Sequence, residues 1–288
     1  MLLIVGEAIV AFHRTGREHY TGPWPSGSPA IAAYVAGRLG VPTVFVGAVG
    51  RDDHGTVMAD GLAAGGVDIS HLVVSGKAPT ATAYITYRGA AREFDLRVSD
   101  SAAIQVAGPD LADLPERAGW LHLSGSALIF GEPLAGTALT ALHRARAAGA
   151  RISIDPNVRP ESLDRTAREA VVEALGLAHV VLAGEGELAA LRVDASALVA
   201  DGATVCTTFG AGGATVTDES GSVHIDALPV EVVDTDGAGD AFAAGFIAAA
   251  LAGADPVDAA RAGVRVATEA IRTEGPMSVM PDRGLLAG

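Results

Sequence analysis

One lysine, one cysteine and few aromatic residues set the first limits on this chain of 288 residues. Cys206 stands in an apolar run, ATVCTTF, so no disulfide framework or thiolate metal cluster can form within the chain. A reducing cytoplasm is the compartment expected. Lys77 is the sole lysine among 20 basic residues. A Walker-type phosphate loop, GxxxxGK[ST], would need glycine at 71 and a hydroxyl at 78, where the chain has His71 and Ala78. Backbone amides and arginines would have to hold any nucleotide phosphates. Basic charge is scarce altogether. With a net charge of −14 there is no basic stripe to neutralise a nucleic-acid backbone, and nucleic acid is not an expected partner. The 8 histidines are scattered without HExxH-type spacing, so a zinc site is not expected either. The chain also lacks an apolar run of the roughly 18–20 residues a membrane span needs. Its most apolar stretch, 241–254, is short and contains glycines, and MLLIVGEAIVAF has no basic leader and reads as a first strand.

Apolar residues make up 49% of the chain and charged residues 19%, a globular composition with ample core. Strand and helix patterns alternate along it. Strand patterns fall at 1–12, 43–49, 120–124, 151–155, 179–183 and 203–208. Helix patterns fall at 30–39, 53–64, 132–148, 161–176, 185–191 and 256–272. Residues 13–29 read as a loop or irregular hairpin. Hairpins are expected at 80–98, around Gly89, Ala90 and Ala91, and at about 213–226. This βαβα order implies a three-layer α/β/α domain over residues 1–288, its mostly parallel sheet covered on both faces. Ligands then belong at the carboxyl ends of the strands. The 80–98 hairpin is the expected separate layer, a small β lid to which segment 10–25 also belongs.

The most informative stretch is 229–246, PVEVVDTDGAGDAFAAGF. Val230, Val232 and Val233 suggest a strand, Gly237, Ala238 and Gly239 a turn, and Asp240 opens an alanine-rich helix. Such a turn leaves backbone N–H groups unpaired and pointing one way, at the positive end of the helix dipole. Asp240 places a carboxylate beside this anion site. A site that holds a phosphoryl group and also takes a proton from an attacking hydroxyl needs both.

Five motifs in order carry a family resemblance over nearly the whole chain. DTDGAGDAFAAGF resembles the C-terminal signature of the ribokinase-like (phosphofructokinase B) carbohydrate kinases, and GSPAIAAYVAGRLG at 27–40 resembles their N-terminal signature. VGAVGRDDHG at 46–55 is similar to G-x-D-x-x-G. IDPNVRPESL at 154–163 resembles the DPN-x-R of fructokinase-like and ketodeoxygluconate-kinase-like members, and TTFGAGG at 207–213 the nucleotide loop T-x-G-x-x-G. The resemblance implies a ribokinase-like fold and an ATP- and Mg2+-dependent kinase acting on a sugar or sugar acid. In some members K+ also takes part, and some pair as homodimers through lid edges. By the same resemblance Asp240 is the base, and Gly237, Ala238 and Gly239 form the anion hole. Thr208, Gly210 and Gly213 belong to the nucleotide loop, and Glu187 holds magnesium through water. Asp234 and Asp236 lie near a monovalent-cation site. Gly27, Ser28 and Ile31 fall on the acceptor pocket, with Arg97 and Arg159 as clamps on an acidic sugar or a phosphate.

Three polar residues of the family pattern are replaced. Ala11 stands for an aspartate that binds sugar hydroxyls, and Ile31 and Gly184 each stand for an asparagine. The first two swap hydrogen-bonding groups for apolar ones in the acceptor pocket. Two alternatives therefore accompany the sugar kinase. One is a nucleoside kinase, since a flat base packs well on apolar groups; the other is a non-catalytic regulatory protein that keeps the fold. No G-x-G-x-x-G follows the first strand, which argues against a Rossmann dehydrogenase.

Overall fold

The computed structural model describes residues 1–16, 18–88, 91–159, 163–278 and 281–287. The expected Gly89-Ala90 turn and residues 160–162 of the DPN-x-R segment lie outside the described residues. A nine-stranded sheet forms the middle layer. From one edge to the other its strands are β5 (Leu72–Ser75), β4 (Thr43–Gly50), β1 (Leu2–Val5), β8 (Trp120–Ser124), β9 (Arg151–Asp155), β10 (Val180–Gly184), β11 (Thr204–Thr208), β12 (Ala214–Asp218) and β13 (Gly221–Ile225). Every pairing from β5 to β11 is parallel. The β12–β13 hairpin closes that edge antiparallel.

Strand β1 shows why the sequence reads as continuous apolar runs. Leu2 and Ile4 enter the core on one face, with α1 (Ser28–Arg38), α2 (Asp53–Ala64), α9 (Ala238–Leu251) and α10 (Pro256–Ala270). Leu3 and Val5 enter the core on the other face. There lie α3 (Leu114–Arg117), α4 (Ser126–Ile129), α5 (Leu134–Ala147), α6 (Arg165–Gly176), α7 (Glu187–Leu191) and α8 (Ala195–Ala200). A strand buried on both sides has no reason to alternate.

A second, four-stranded sheet has the order β3 (Tyr20–Ser26), β2 (Ile9–Arg14), β6 (Ala81–Arg88), β7 (Ala91–Arg97). The stretch 13–29, expected as a loop or irregular hairpin, thus contributes the paired strand β3. The expected strand at 1–12 is divided: β1 ends at Val5 in the large sheet, and β2 begins at Ile9 in the small one. Gly6, Glu7 and Ala8 carry the chain from one sheet to the other.

One expectation is overturned. Val230, Val232 and Val233 form no strand; residues 226–235 are irregular. Val232 is 54% and Val233 59% exposed, so the alternation has no buried face to serve. The segment is held by the N–H groups of Val233 and Asp234, which donate to the Ile271 carbonyl at 2.8 and 3.2 Å. A loop, not a strand, delivers the chain to the anion turn.

Helices α9 and α10 pack through glycine. A Cβ on Gly245 would stand 2.9 Å from the Val266 Cβ and 3.0 Å from the Gly263 Cα. Gly245→Val is expected to lower stability by about 1–3 kcal/mol through overpacking. Gly176→Ala on α6, where nothing lies within 4 Å, should be neutral or stabilising by up to about 1 kcal/mol. Urea midpoints measure both, and equal midpoints would contradict the close helix contact.

Candidate active site

A cavity of about 940 Å³ opens at the carboxyl ends of the parallel strands, between the large sheet and the small one. Asp240 lines it. Gly237, at φ 78°, caps α9, and Asp240 is the third residue of the first turn. The Gly237 conformation favours glycine, and a Cβ there would also press on the Pro276 Cβ at 2.9 Å and the Ile31 Cγ2 at 3.1 Å. The Ala238 N–H donates to the Thr235 carbonyl at 3.3 Å. The N–H groups of Gly239 and Asp240 follow in the first turn, where no helical carbonyl precedes them. Asp240 is therefore held beside the amides that the GAGD turn implied, and its carboxyl is not sealed from the cavity.

Ser28 touches the carboxylate directly, its hydroxyl donating to Asp240 Oδ1 at 2.5 Å. It lies in the first residue of α1, after Gly27 at φ 101°. Both residues line the cavity, as does Ile31. Ala11, on the same face of β2 as Ile9, is fully buried and does not line the cavity.

At the other end of the cavity stand Thr208, Gly210 and Gly213, at the carboxyl end of β11 and in the turn beyond it. Glu187, at the start of α7, also lines the cavity. Its Oε2 accepts from the Gly184 N–H at 2.7 Å and its Oε1 from the Val158 N–H at 3.1 Å. Burial raises the Glu187 pKa against these hydrogen bonds and the nearby Arg159. Asp155, at the end of β9, is raised well above the usual carboxylate range by burial, then by the charges of Glu187 and Asp240. Among the described residues, no group of three or more His, Cys, Asp or Glu is arranged to hold a metal unaided.

The two clamp arginines part company. Arg159 lines the cavity, its guanidinium 3.8 Å from the centre of the Phe94 ring. Arg97 does not line it. Strand alternation turns Phe94 and Leu96 of β7 toward the cavity. Arg97 sits on the opposite face, over the Tyr84 ring at 4.6 Å and 3.2 Å from Asp95. The expected contact between Arg97 and the acceptor is absent from this arrangement for that geometric reason.

Asp234 and Asp236 surround a residue that the sequence did not single out. His13 on β2 is buried with Nδ1 3.4 Å from Asp234 and Nε2 3.6 Å from Asp236. Asp234 also accepts from the N–H groups of Asp236 and Gly275, at 2.9 and 3.0 Å. Burial pulls the His13 pKa down, but the Asp236 contact and the charges of Asp234, Asp236 and Glu274 outweigh it, and the net shift is upward.

Other cavity residues lay inside quoted motifs unremarked: Glu7 in GEAIVAF, and Asp155 and Asn157 in DPN-x-R. Ser126, which lines the cavity at the start of α4, and the buried Ser124 at the end of β8 had no motif to betray them. Gly125 between them is forced by packing, since a Cβ there would overlap the Pro156 carbonyl. The G-x-D-x-x-G aspartate is a clamp outside the cavity. Asp52 accepts from the Gly55 and Thr80 N–H groups at 2.8 and 2.9 Å, tying α2 to the start of β6.

The fold agrees with the comparisons. The profile described as "pfkB family carbohydrate kinase" matches residues 3–283. A fructokinase of Salmonella typhimurium is 35% identical over 247 residues, 81% of this chain and 79% of that one. A nucleoside kinase of Methanothermobacter thermautotrophicus is 31% identical over 274 residues, 90% of this chain and 82% of that one. A structure designated ribokinase II from E. coli, in complex with ATP and Mg2+, superposes with a TM-score of 0.92 at 28% identity, covering 99% of this chain and 97% of the other. A fructokinase from Vibrio cholerae O395, with fructose, ADP and calcium ion bound, gives 0.87 at 28% identity with coverages of 99% and 97%. The chain belongs to the pfkB family of carbohydrate kinases, and its fold is ribokinase-like. It is a sugar kinase that draws its phosphoryl group from ATP.

His13 gives this region a pH signature. Its native pKa lies above the usual 6.5. Its contribution to stability is therefore complete below that value and is lost as pH rises through the higher native pKa. The stability difference between the protein and His13→Gln, read from urea unfolding, should be largest at acid pH and shrink toward alkaline pH. A difference that grows with pH would contradict the ion pairing.

Proposed function

We propose that Asp240 takes the proton of a sugar hydroxyl as that oxygen attacks the γ-phosphorus of ATP, while the α9 amides receive the charge that builds on the phosphoryl oxygens. The observation that carries this reading is the position of Asp240 in the first turn of α9, lining the cavity beside Gly237, Ala238 and Gly239. An ionised carboxylate within a helix N-terminal field is a competent acceptor at neutral pH. The amides need no reorganisation as charge develops. Thr208, Gly210 and Gly213 supply the nucleotide end, and Arg159 a planar guanidinium for phosphate or substrate.

Asp155 and Glu187 fit a divalent cation. Their carboxyls are raised by burial and, for Asp155, by the neighbouring charges. A cation relieves that repulsion, and Mg2+ favours hard oxygen donors completed by water and phosphate. Since both Glu187 oxygens already accept backbone N–H groups, its hold on the metal would pass through water. Bound Mg2+ would neutralise charge on the nucleotide.

For the acceptor, the fructokinase relatives support a small sugar of the fructose class. A nucleoside is the second reading, favoured by the apolar wall of Ile9, Ile31, Ile85, Phe94 and Phe130. The small sheet would close over either acceptor as a lid within a single domain, and its open edges β3 and β7 are where a homodimer would form. The cytoplasm is the proposed compartment.

Asp240→Asn should lower kcat by about 10²–10⁴-fold, the range expected for a lost general base, and leave nucleotide affinity within a few-fold. Phosphoryl transfer and fluorescent-nucleotide titration measure the two, and turnover that survives the substitution would remove Asp240 from its role. A panel of ketoses, aldoses, sugar acids and nucleosides should show one sugar preferred. Phosphorylation confined to a nucleoside would select the second reading.

A further inference from the structure

Glu7 sits where the chain crosses from the large sheet to the small one and is 1% exposed. It lines the cavity, and its Oε2 is buried with no hydrogen-bond partner. Its Oε1 lies 2.7 Å from the Ser126 hydroxyl. From there hydroxyls run in series to the catalytic carboxylate: Ser126 to Ser124 at 2.8 Å, Ser124 to Ser28 at 3.0 Å, and Ser28 to Asp240 Oδ1 at 2.5 Å. Asn157 Nδ2 donates to Ser124 Oγ at 3.0 Å, fixing the middle of the series.

The hydrogens can be counted. Three serines bring three hydroxyl hydrogens, while four oxygen–oxygen contacts join Glu7 to Asp240. With both carboxyls ionised, one contact must set two lone pairs against each other, because a hydroxyl carries a single donor. One further proton completes the series. The Ser28 hydroxyl is placed to donate either to Ser124 Oγ or to Asp240 Oδ1, and a proton on Glu7 commits it to Asp240: Glu7 donates to Ser126, Ser126 to Ser124, Ser124 turns its hydrogen to Ser28, and Ser28 donates to Asp240, which stays ionised. The environment chooses that end. Asp240 lies at a helix N-terminus, which favours its charge, whereas Glu7 is buried with a charge of its own sign, Asp240, as neighbour.

We propose that Glu7 is a positioning residue of the kinase site, holding the proton that completes the serine series and fixes Asp240 as its ionised end. The inference rests on the reading of Asp240 as base. Burial is the main cause of a Glu7 pKa raised to about 8, with the Asp240 charge adding and the Ser126 contact opposing. The ionisable groups on the elements around it are Asp240 on α9 and Asp155 on β9, the latter facing Glu187. His122 on β8 is bonded to Ser153 and kept neutral by burial, at about 4. Among the described residues, no cation is within hydrogen-bond reach of Glu7.

The test compares the full-length protein with Glu7→Gln and Glu7→Leu. Glutamine is nearly isosteric and donates to Ser126 at every pH. In the unsubstituted protein kcat should fall as pH rises through about 8, as Glu7 ionises and the series loses its proton. Glu7→Gln should abolish that fall. Glu7→Leu should lower kcat at all pH by roughly tenfold or more, the scale of one lost hydrogen bond at the reacting group. An alkaline fall unchanged in Glu7→Gln would overturn the proposal. A second readout needs no turnover: carboxyl 13C NMR, assigned through Glu7→Gln, should show Glu7 protonated at neutral pH. An ionised Glu7 there would overturn the inference whatever the activity. A proton retained on Glu7 in a protein that phosphorylates no acceptor would support the completed series and defeat the kinase reading alone.

Discussion

Helix α9 has almost no polar side. Residues from Ala241 to Ala249 are buried, against α1 on one side and α10 on another. A helix apolar all round has no freedom to rotate or slide without exposing core. Its N-terminus is therefore fixed, and with it the direction in which the unpaired amides and Asp240 face. The site depends on this constraint. The GAGD turn is a short piece of backbone, and its aim comes from the buried helix behind it.

Against that fixed positive end the strands present carboxyl groups. Glu7 follows β1, Asp155 ends β9, and Glu187 opens α7 after β10. Burial raises the pKa of each of the three. The arrangement separates carboxyls that lean toward neutrality from the one at the helix terminus, where charge is favoured. A pocket that must ionise one carboxyl while several crowd together solves its problem by environment. The serine hydroxyls join Glu7 to Asp240 in series.

Much of this was legible in the sequence, for identifiable reasons. The parallel strands announced themselves as continuous apolar runs because both of their faces are covered. The turn into α9 was legible because glycines directly before an apolar helix mark its start, and Gly237 takes the positive φ that such a turn requires. The strand expected at 230–233 failed because alternation records which residues could share a face without guaranteeing a partner, and the sheet had already ended at β13. Arg97 failed on parity: the 80–98 hairpin was foreseen, but which face of β7 meets the cavity depends on register with β6. Glu7, Ser124 and Ser126 come together only when β1 and β8 lie side by side, a contact between residues more than a hundred positions apart. His13 reaches Asp234 and Asp236 in the same long-range way. The losses noted at Ala11 and Ile31 also read differently in three dimensions. Ala11 is buried on the Ile9 face of β2 without lining the cavity, and Ile31 packs against the GAGD turn as well as lining the cavity.

The central claim is spatial: an acceptor hydroxyl and the terminal phosphate of a nucleotide meet between one carboxylate and one helix end. A crystal structure with a phosphorylatable sugar and a non-hydrolysable ATP analogue tests it most directly. The account predicts the reacting hydroxyl within hydrogen-bond reach of Asp240 and the γ-phosphate seated on the N–H groups that open α9. A sugar bound with that hydroxyl turned away from Asp240, or a γ-phosphate held elsewhere, would contradict it.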